Sequence, residues 1–83
     1  MKLTVLFFSI LRDLVGAEQL LVELDSSRDW KIADLLEHLY GLHPKLRDWD
    51  SSILISADLD YAPRDQELKQ GQEIAIMPPV QGG

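Results

Sequence analysis

The last ten residues of the chain read IAIMPPVQGG, and their types suit the presentation of a terminal carboxylate. Pro78 and Pro79 fix φ and lack amide donors, so a preceding strand must stop there and a stiff extended segment must follow. The four residues beyond them span roughly 13 Å when extended. Gly82 and Gly83 leave the tip no wider than its backbone. The pattern predicts that residues 78–83 form a narrow tail that carries the Gly83 carboxylate into a cleft of another protein.

Two terminal glycines alone are more typical of a frayed chain end than of a functional group. Here they follow an apolar run and two prolines, and the chain has no competing reactive site. It lacks cysteine for thiolate chemistry or zinc binding, and it has neither a G-x-x-x-x-G-K-[ST] nor a G-x-G-x-x-G loop to hold ATP. His38 and His43 do not share a helical face, which argues against a metal site. We therefore expect no metal, no bound cofactor and a site in the tail.

The charge balance indicates the kind of partner. The 83 residues include 8 Lys plus Arg and 14 Asp plus Glu, for a net charge of −6. Such a surface repels phosphate backbones and disfavours nucleic-acid binding, whereas basic protein surfaces are suitable partners. The opening MKLTVLFFSIL lacks a small-residue cleavage site and runs into Arg12 and Asp13, and no apolar run is long enough to span a membrane. We expect a cytoplasmic protein.

Side-chain alternation predicts the strands that must hold the tail. Residues 3–8, LTVLFF, are apolar on both faces of a strand. Residues 20–24 alternate after a turn at Gly16, so the two segments predict an antiparallel hairpin. Two later strands, 53–57 and 73–77, are separated by a polar loop over 58–67.

A helix is predicted between the two pairs of strands. Its apolar stripe follows the i, i+3, i+4, i+7 spacing at Ile32, Leu35, Leu36 and Leu39. Asp29 is the candidate N-cap and Gly41 the predicted end. Pro44 predicts a short second helix.

These elements predict an α+β fold with one main helix packed on one face of a mixed sheet of four or five strands. The β-grasp, or ubiquitin-like, roll is the commonest form of this arrangement. Residues 1–77 would form the domain, and residues 78–83 its flexible C-terminal tail.

The tail Pro78-Pro79-Val80-Gln81-Gly82-Gly83 resembles the C-terminus of the MoaD family, the sulfur-carrying small subunits of molybdopterin synthase. The resemblance covers nearly the whole chain. VLFF at 5–8 with LRDLVG at 11–16 resembles the family's first strand and turn, IADLL at 32–36 its helix, and LKQGQEIA at 68–75 the segment leading into its last strand. Three positions depart from the family's pattern: Gln72 replaces an aspartate, Lys31 a helix-capping threonine, and Ala57-Asp58 an asparagine-containing turn.

The resemblance implies that the Gly83 carboxylate, next to Gly82, is the working group. A carboxylate is a poor electrophile because it is negative and resonance-stabilised, so an ATP-using, E1-like adenylyltransferase would adenylate it. Sulfur from a donor enzyme would then displace the adenylate and leave a thiocarboxylate. In a heterotetramer with the large catalytic subunit of molybdopterin synthase, the tail would deliver this sulfur to the pterin precursor of the molybdenum cofactor. The chain would be the non-catalytic, sulfur-donating subunit.

Two sets of residues are predicted to contact these partners. The first is the tail before the glycines, comprising Pro78, Pro79, Val80 and Gln81. The second is an exposed apolar patch of Phe8, Tyr61 and Met77, similar in placement to the family's docking surface. Phe8 and Met77 point away from the helix-covered face if Phe7 and Ile76 point toward it. Burial of these side chains under a loop is the alternative, because sequence constrains strand register poorly.

Three other functions remain open at this point. Sulfur carriers for thiamine or for tRNA thiolation also end in Gly-Gly, although the Pro-Pro-Val-x-Gly-Gly context favours molybdopterin. A ubiquitin-like modifier joined to lysines through Gly83 would use the same activation chemistry. A β-grasp interaction module would need no chemistry at all.

Overall fold

The computed structural model describes residues 1–79, which contain five strands, two α-helices and one 3-10 helix. The strands are β1 (Lys2–Phe7), β2 (Gln19–Glu23), β3 (Leu54–Ala57), β4 (Asp60–Tyr61) and β5 (Glu73–Met77). The helices are α1 (Ile10–Val15), α2 (Ile32–Leu42) and the 3-10 helix Pro44–Trp49.

The first and last strands lie side by side at the centre of the sheet. β1 and β5 pair in parallel, and the remaining neighbours pair antiparallel, in the order β2-β1-β5-β3-β4. α2 contributes its apolar stripe to the same core as the inward side chains of β1, β3 and β5. The buried residues at its centre are Leu3, Val5, Phe7, Ile32, Leu35, Leu36, Leu39, Ile55, Ile74 and Ile76. This is the predicted α+β β-grasp roll.

The helix α2 begins at a different residue from the one predicted. Asp29 does not cap it; Lys31 precedes the first helical residue, and its backbone N–H donates to the Asp34 carboxylate at 2.9 Å. The N–H groups of Ile32 and Ala33, which have no partner within the helix, donate to carbonyls of the distant segment 64–66 at 3.0 and 2.9 Å. Tertiary hydrogen bonds therefore replace the side-chain cap that a lysine at the N-cap cannot supply. The helix also continues past Gly41, to Leu42.

Two elements were not predicted. α1 occupies the segment where only a turn was expected; it buries Leu11 and ends at Gly16, whose φ of 82° permits the left-handed C-cap. Six residues are too few for a helical period to stand out in sequence. β4 lies within the predicted polar loop. In contrast, the 3-10 helix begins at Pro44, and β5 has the predicted bounds.

A buried tyrosine ties α2 to two later segments. The Tyr40 hydroxyl donates to Oδ1 of Asp50 at 2.5 Å, and Nη1 of Arg64 donates to the same oxygen at 2.7 Å. Arg64 also donates to the Asp50 backbone carbonyl. Burial, and then the hydrogen bond to Asp50, raise the pKa of Tyr40 well above its ordinary value. The hydrogen bonds from Tyr40 and Arg64 lower the pKa of Asp50, so the carboxylate stays ionised.

Replacing Tyr40→Phe is expected to lower the free energy of unfolding by about 1.5 kcal/mol at neutral pH, the value of a hydrogen bond to a charged group. The pKa of Asp50 is lower in the folded chain than in the unfolded chain. The contribution of ionised Asp50 to the free energy of unfolding is therefore complete above the ordinary aspartate pKa. It is lost as pH falls through the pKa of Asp50 in the folded chain. Urea denaturation of the wild type and the variant should show a smaller difference at about pH 3 than at about pH 7. Tyr61→Phe, on an exposed side chain, is the control; a Tyr40→Phe effect that does not change with pH would contradict the interpretation.

Candidate functional site

The last strand places the start of the tail at the centre of the sheet. β5 is hydrogen-bonded to β1 on one side and β3 on the other, and the Phe8 N–H extends the ladder to the Ile76 carbonyl at 3.3 Å. Pro78 and Pro79 follow directly and are half-buried. The strand thus ends where the sequence predicts. The predicted site residues Val80, Gln81, Gly82 and Gly83 lie outside the described residues.

A tight turn positions the beginning of β5. Gly71 has a φ of 82°, a conformation that favours glycine. Gln72, which replaces an aspartate in the family's pattern, is buried and accepts a hydrogen bond from the Lys69 N–H through Oε1 at 2.7 Å. Its own N–H donates to the Lys69 carbonyl at 3.2 Å. The glutamine amide therefore closes the turn, and this departure from the pattern leaves the strand entry intact.

The face of the sheet opposite α2 is the open face. The strand register aligns Leu6, Ala75, Ser56 and Tyr61 across four strands of it. A depression of about 310 Å³ lies along this row, and Phe8, Leu59, Tyr61 and Met77 are among its lining residues. The structure therefore brings together the three side chains that the sequence predicts as a patch. Phe8 is 46% and Tyr61 77% exposed, and Met77 is half-buried. Their role in docking stays a prediction.

Leu59 belongs to the same depression but was not predicted. It is 88% exposed at the tip of the hairpin that joins β3 to β4. Asp58 and Leu59 have φ values of 49° and 76°, as in the type I′ turns of two-residue hairpins. Asp58 secures the turn, since its N–H donates to the Glu73 carbonyl at 2.9 Å and its Oδ1 accepts from the Glu73 N–H at 3.0 Å. The hairpin could not be predicted from the sequence because its turn has Asp58-Leu59 in place of the usual Asn-Gly pair.

A leucine with positive φ is held at a conformational cost, so Leu59→Gly is expected to stabilise the fold by about 1 kcal/mol. Leu59→Ala keeps the Cβ and its strain, and should not stabilise. Urea denaturation of both variants measures the difference. Equal stability of the glycine and alanine variants would contradict the assignment of strain to this turn.

Acidic groups lie at the hairpin end of the depression. Glu73 is among its lining residues, and Asp58 and Asp60 flank Leu59 in the hairpin. An apolar surface with an acidic border suits a partner whose own apolar contact is bordered by basic residues. This agrees with the net charge of −6.

Other classes of site find no support in the described part of the chain. Among residues 1–79, no three His, Cys, Asp or Glu side chains lie close enough to hold a metal ion. His38 packs edge-on against Trp30, with ring centroids 6.5 Å apart. In the same residues, no helix has the length and apolar composition needed to cross a membrane.

Comparisons with known proteins agree with the fold and the predicted family. The molybdopterin synthase sulfur carrier subunit of Chlamydomonas reinhardtii is 33% identical over 85 residues and covers 100% of both chains. The structure of SAMP1, small archaeal modifier protein 1, from Haloferax volcanii matches with a TM-score of 0.84 and 27% identity, over 100% of both chains. The putative molybdopterin converting factor subunit 1 of Pyrococcus furiosus matches with a TM-score of 0.83 and 28% identity, covering 96% of this chain and 99% of that one.

The predicted resemblance to sulfur carriers of molybdopterin synthase is thus confirmed along the whole length of the chain. The β-grasp fold is confirmed by the solved structures. A sequence model described as the ThiS family matches residues 5–83. On this match, the chain belongs to the ThiS family.

Proposed function

We propose that the chain is the sulfur carrier subunit of a molybdopterin synthase and that it carries sulfur as a thiocarboxylate on Gly83. The observation that carries the proposal is the full-length match to a relative that bears this name. Support also comes from β5, a central strand that leads directly into the Pro-Pro-Val-Gln-Gly-Gly sequence.

The proposed loading takes place on an enzyme that binds ATP. A Gly83 carboxylate oxygen attacks the α-phosphate of ATP, pyrophosphate leaves, and an acyl-adenylate forms. A sulfur donor then attacks the carbonyl carbon as a persulfide, and AMP leaves. Cleavage of the persulfide S–S bond by a thiol gives the thiocarboxylate, with the donor and the thiol ending as a disulfide.

The carrier's own contribution is to present the end of the chain. The hydrogen bonds of β5 on both sides restrict the position from which the tail departs. The depression around Phe8, Leu59, Tyr61 and Met77 is proposed to dock on the large catalytic subunit, with the adenylyltransferase using the same acidic, apolar face in turn. Docking would turn delivery of the sulfur into an intramolecular event, which raises its effective concentration.

The proposal is tested by intact-mass spectrometry of the chain purified from its native cell. A carrier should show a fraction of molecules heavier by the exchange of one oxygen for sulfur. The same exchange should occur in vitro with an E1-like adenylyltransferase, ATP and a persulfide donor, and should require all three. Absence of the heavier species under both conditions would overturn the proposal.

A second candidate function is protein modification through Gly83. The match to SAMP1, whose name is small archaeal modifier protein 1, favours this second function. The two functions share an acyl-adenylate but differ in its fate, because a modifier is transferred to a lysine amine and forms an isopeptide bond. Ladders of covalent adducts in cell extracts would support modification. A thiocarboxylate that transfers its sulfur to a pterin precursor would support the role in molybdopterin synthesis. Transfer to a thiamine precursor or to tRNA would instead indicate a sulfur carrier for one of those pathways.

A further inference from the structure

The outer edge of β2 presents unpaired backbone groups. β2 is an edge strand, and among residues 1–79 no strand pairs with its outer side. Met1 and Leu24 exchange hydrogen bonds at 2.8 and 2.9 Å, and the Phe7 N–H donates to the Glu18 carbonyl at 2.9 Å. Because bonded and non-bonded pairs alternate in an antiparallel ladder, the N–H and C=O groups of Gln19, Leu21 and Glu23 point outward.

This edge has few of the features that usually prevent strand addition. Natural edge strands are commonly protected by charged side chains, proline, a bulge or short length. β2 is five residues long, reads QLLVE, and contains no proline and one charged residue, Glu23. Leu21 at its centre is 81% exposed. The other edge strand, β4, has only two residues, so β2 offers the longer edge.

The side chains along this edge are self-complementary. In antiparallel pairing with a second copy centred on Leu21, Leu21 faces Leu21 of the second copy. Gln19 faces Glu23 of the second copy, and the two-fold axis repeats this amide–carboxylate pair. Each Glu23 therefore faces an uncharged glutamine, so no like charges stand directly opposite one another across the contact. Within each copy, Lys2 on β1 is the cross-strand neighbour of Glu23. The register forms about six backbone hydrogen bonds.

We propose that two copies of this chain associate through β2 to form a continuous ten-stranded sheet with two-fold symmetry. The proposal does not depend on the sulfur-carrier function. β1 separates β2 from β5, so the strand that leads into the tail takes no part in this pairing. Each copy has a net charge of −6, so electrostatic repulsion opposes the dimer, and added salt should strengthen it by screening.

The edge is tested directly by amide hydrogen exchange of the isolated chain, followed by NMR at increasing protein concentration. Exchange at Gln19, Leu21 and Glu23 should slow as the dimer forms. Leu20 and Val22 are internal controls, because their N–H groups already point toward β1. Exchange rates at all five positions that are independent of concentration would overturn the proposal.

Charge substitutions at Gln19 test the register by sedimentation equilibrium. Gln19→Lys places a cation opposite Glu23 of the second copy twice, and should strengthen dimerisation roughly 2- to 30-fold. Gln19→Glu places like charges there and should weaken it by a similar factor. Ser51→Lys and Ser51→Glu change the net charge equally at an exposed turn and serve as matched controls. Shifts at Gln19 no larger than those at Ser51, or a chain that stays monomeric at all concentrations, would contradict the proposed pairing.

Discussion

Adding one alanine after Gly83 is expected to abolish sulfur loading, with a loss of at least roughly 100-fold. The added residue moves the reactive carboxylate by about 3.5 Å and introduces a methyl group where the proposed channel admits only backbone. Misplacement of a reacting group by 1 Å can reduce the rate by about 100-fold. Intact-mass spectrometry after incubation with the adenylyltransferase, ATP and a persulfide donor measures the loss directly.

The folded domain provides the control for this variant. The extra residue follows Gly83, outside the described residues 1–79 that contain the buried core, so the urea denaturation curve of the variant should match that of the wild type. The variant should also keep part of its binding to the large catalytic subunit, because the depression around Phe8 is unchanged. An extended variant that still acquires sulfur, or that supports molybdopterin formation at the wild-type rate, would refute the role of Gly83 and favour an interaction module without chemistry.

Phe8→Asp is expected to weaken binding to the large catalytic subunit by roughly 30-fold or more, the effect of losing an interface hot spot. Phe8 lies in the depression with Tyr61 and Met77, outside the buried core. The variant would bury an unpaired carboxylate at the proposed contact and would add negative charge to an already acidic surface. Isothermal titration calorimetry with the purified large subunit gives the dissociation constant.

Leu42→Asp is the matched control for Phe8→Asp. It makes the same change of charge at a side chain that is 57% exposed at the end of α2, on the other side of the sheet. Equal affinities of the Phe8 and Leu42 variants would show that docking does not use this depression. That result would leave the proposed loading of Gly83 untouched, because mass spectrometry tests it separately.

Local sequence determined the elements that carry the proposed chemistry. The strand β5 could be predicted with its bounds because the turn at Gly71 and the ring of Pro78 act within a few residues of it. The apolar stripe of α2 and the two-sided apolarity of β1 follow from side-chain period alone. The Gly-Gly tail and its resemblance to sulfur carriers can also be recognised from the sequence alone.

Tertiary structure decided the points at which distant segments meet. The first N–H groups of α2 bond to carbonyls of residues 64–66, so no local cap could reveal where the helix begins. Leu59 lines the depression because the pairing of β3 with β4 holds it at a positive φ, a conformation that leucine rarely adopts.

The two faces of the sheet illustrate the same division. The period of two predicts which side chains of one strand share a face, since alternation is a property of a single strand. Only the register between strands places Leu6, Ala75, Ser56 and Tyr61 in one row. Register depends on hydrogen bonds between separate segments of the chain, and it decides both which side chains line the depression and which backbone groups of β2 point outward.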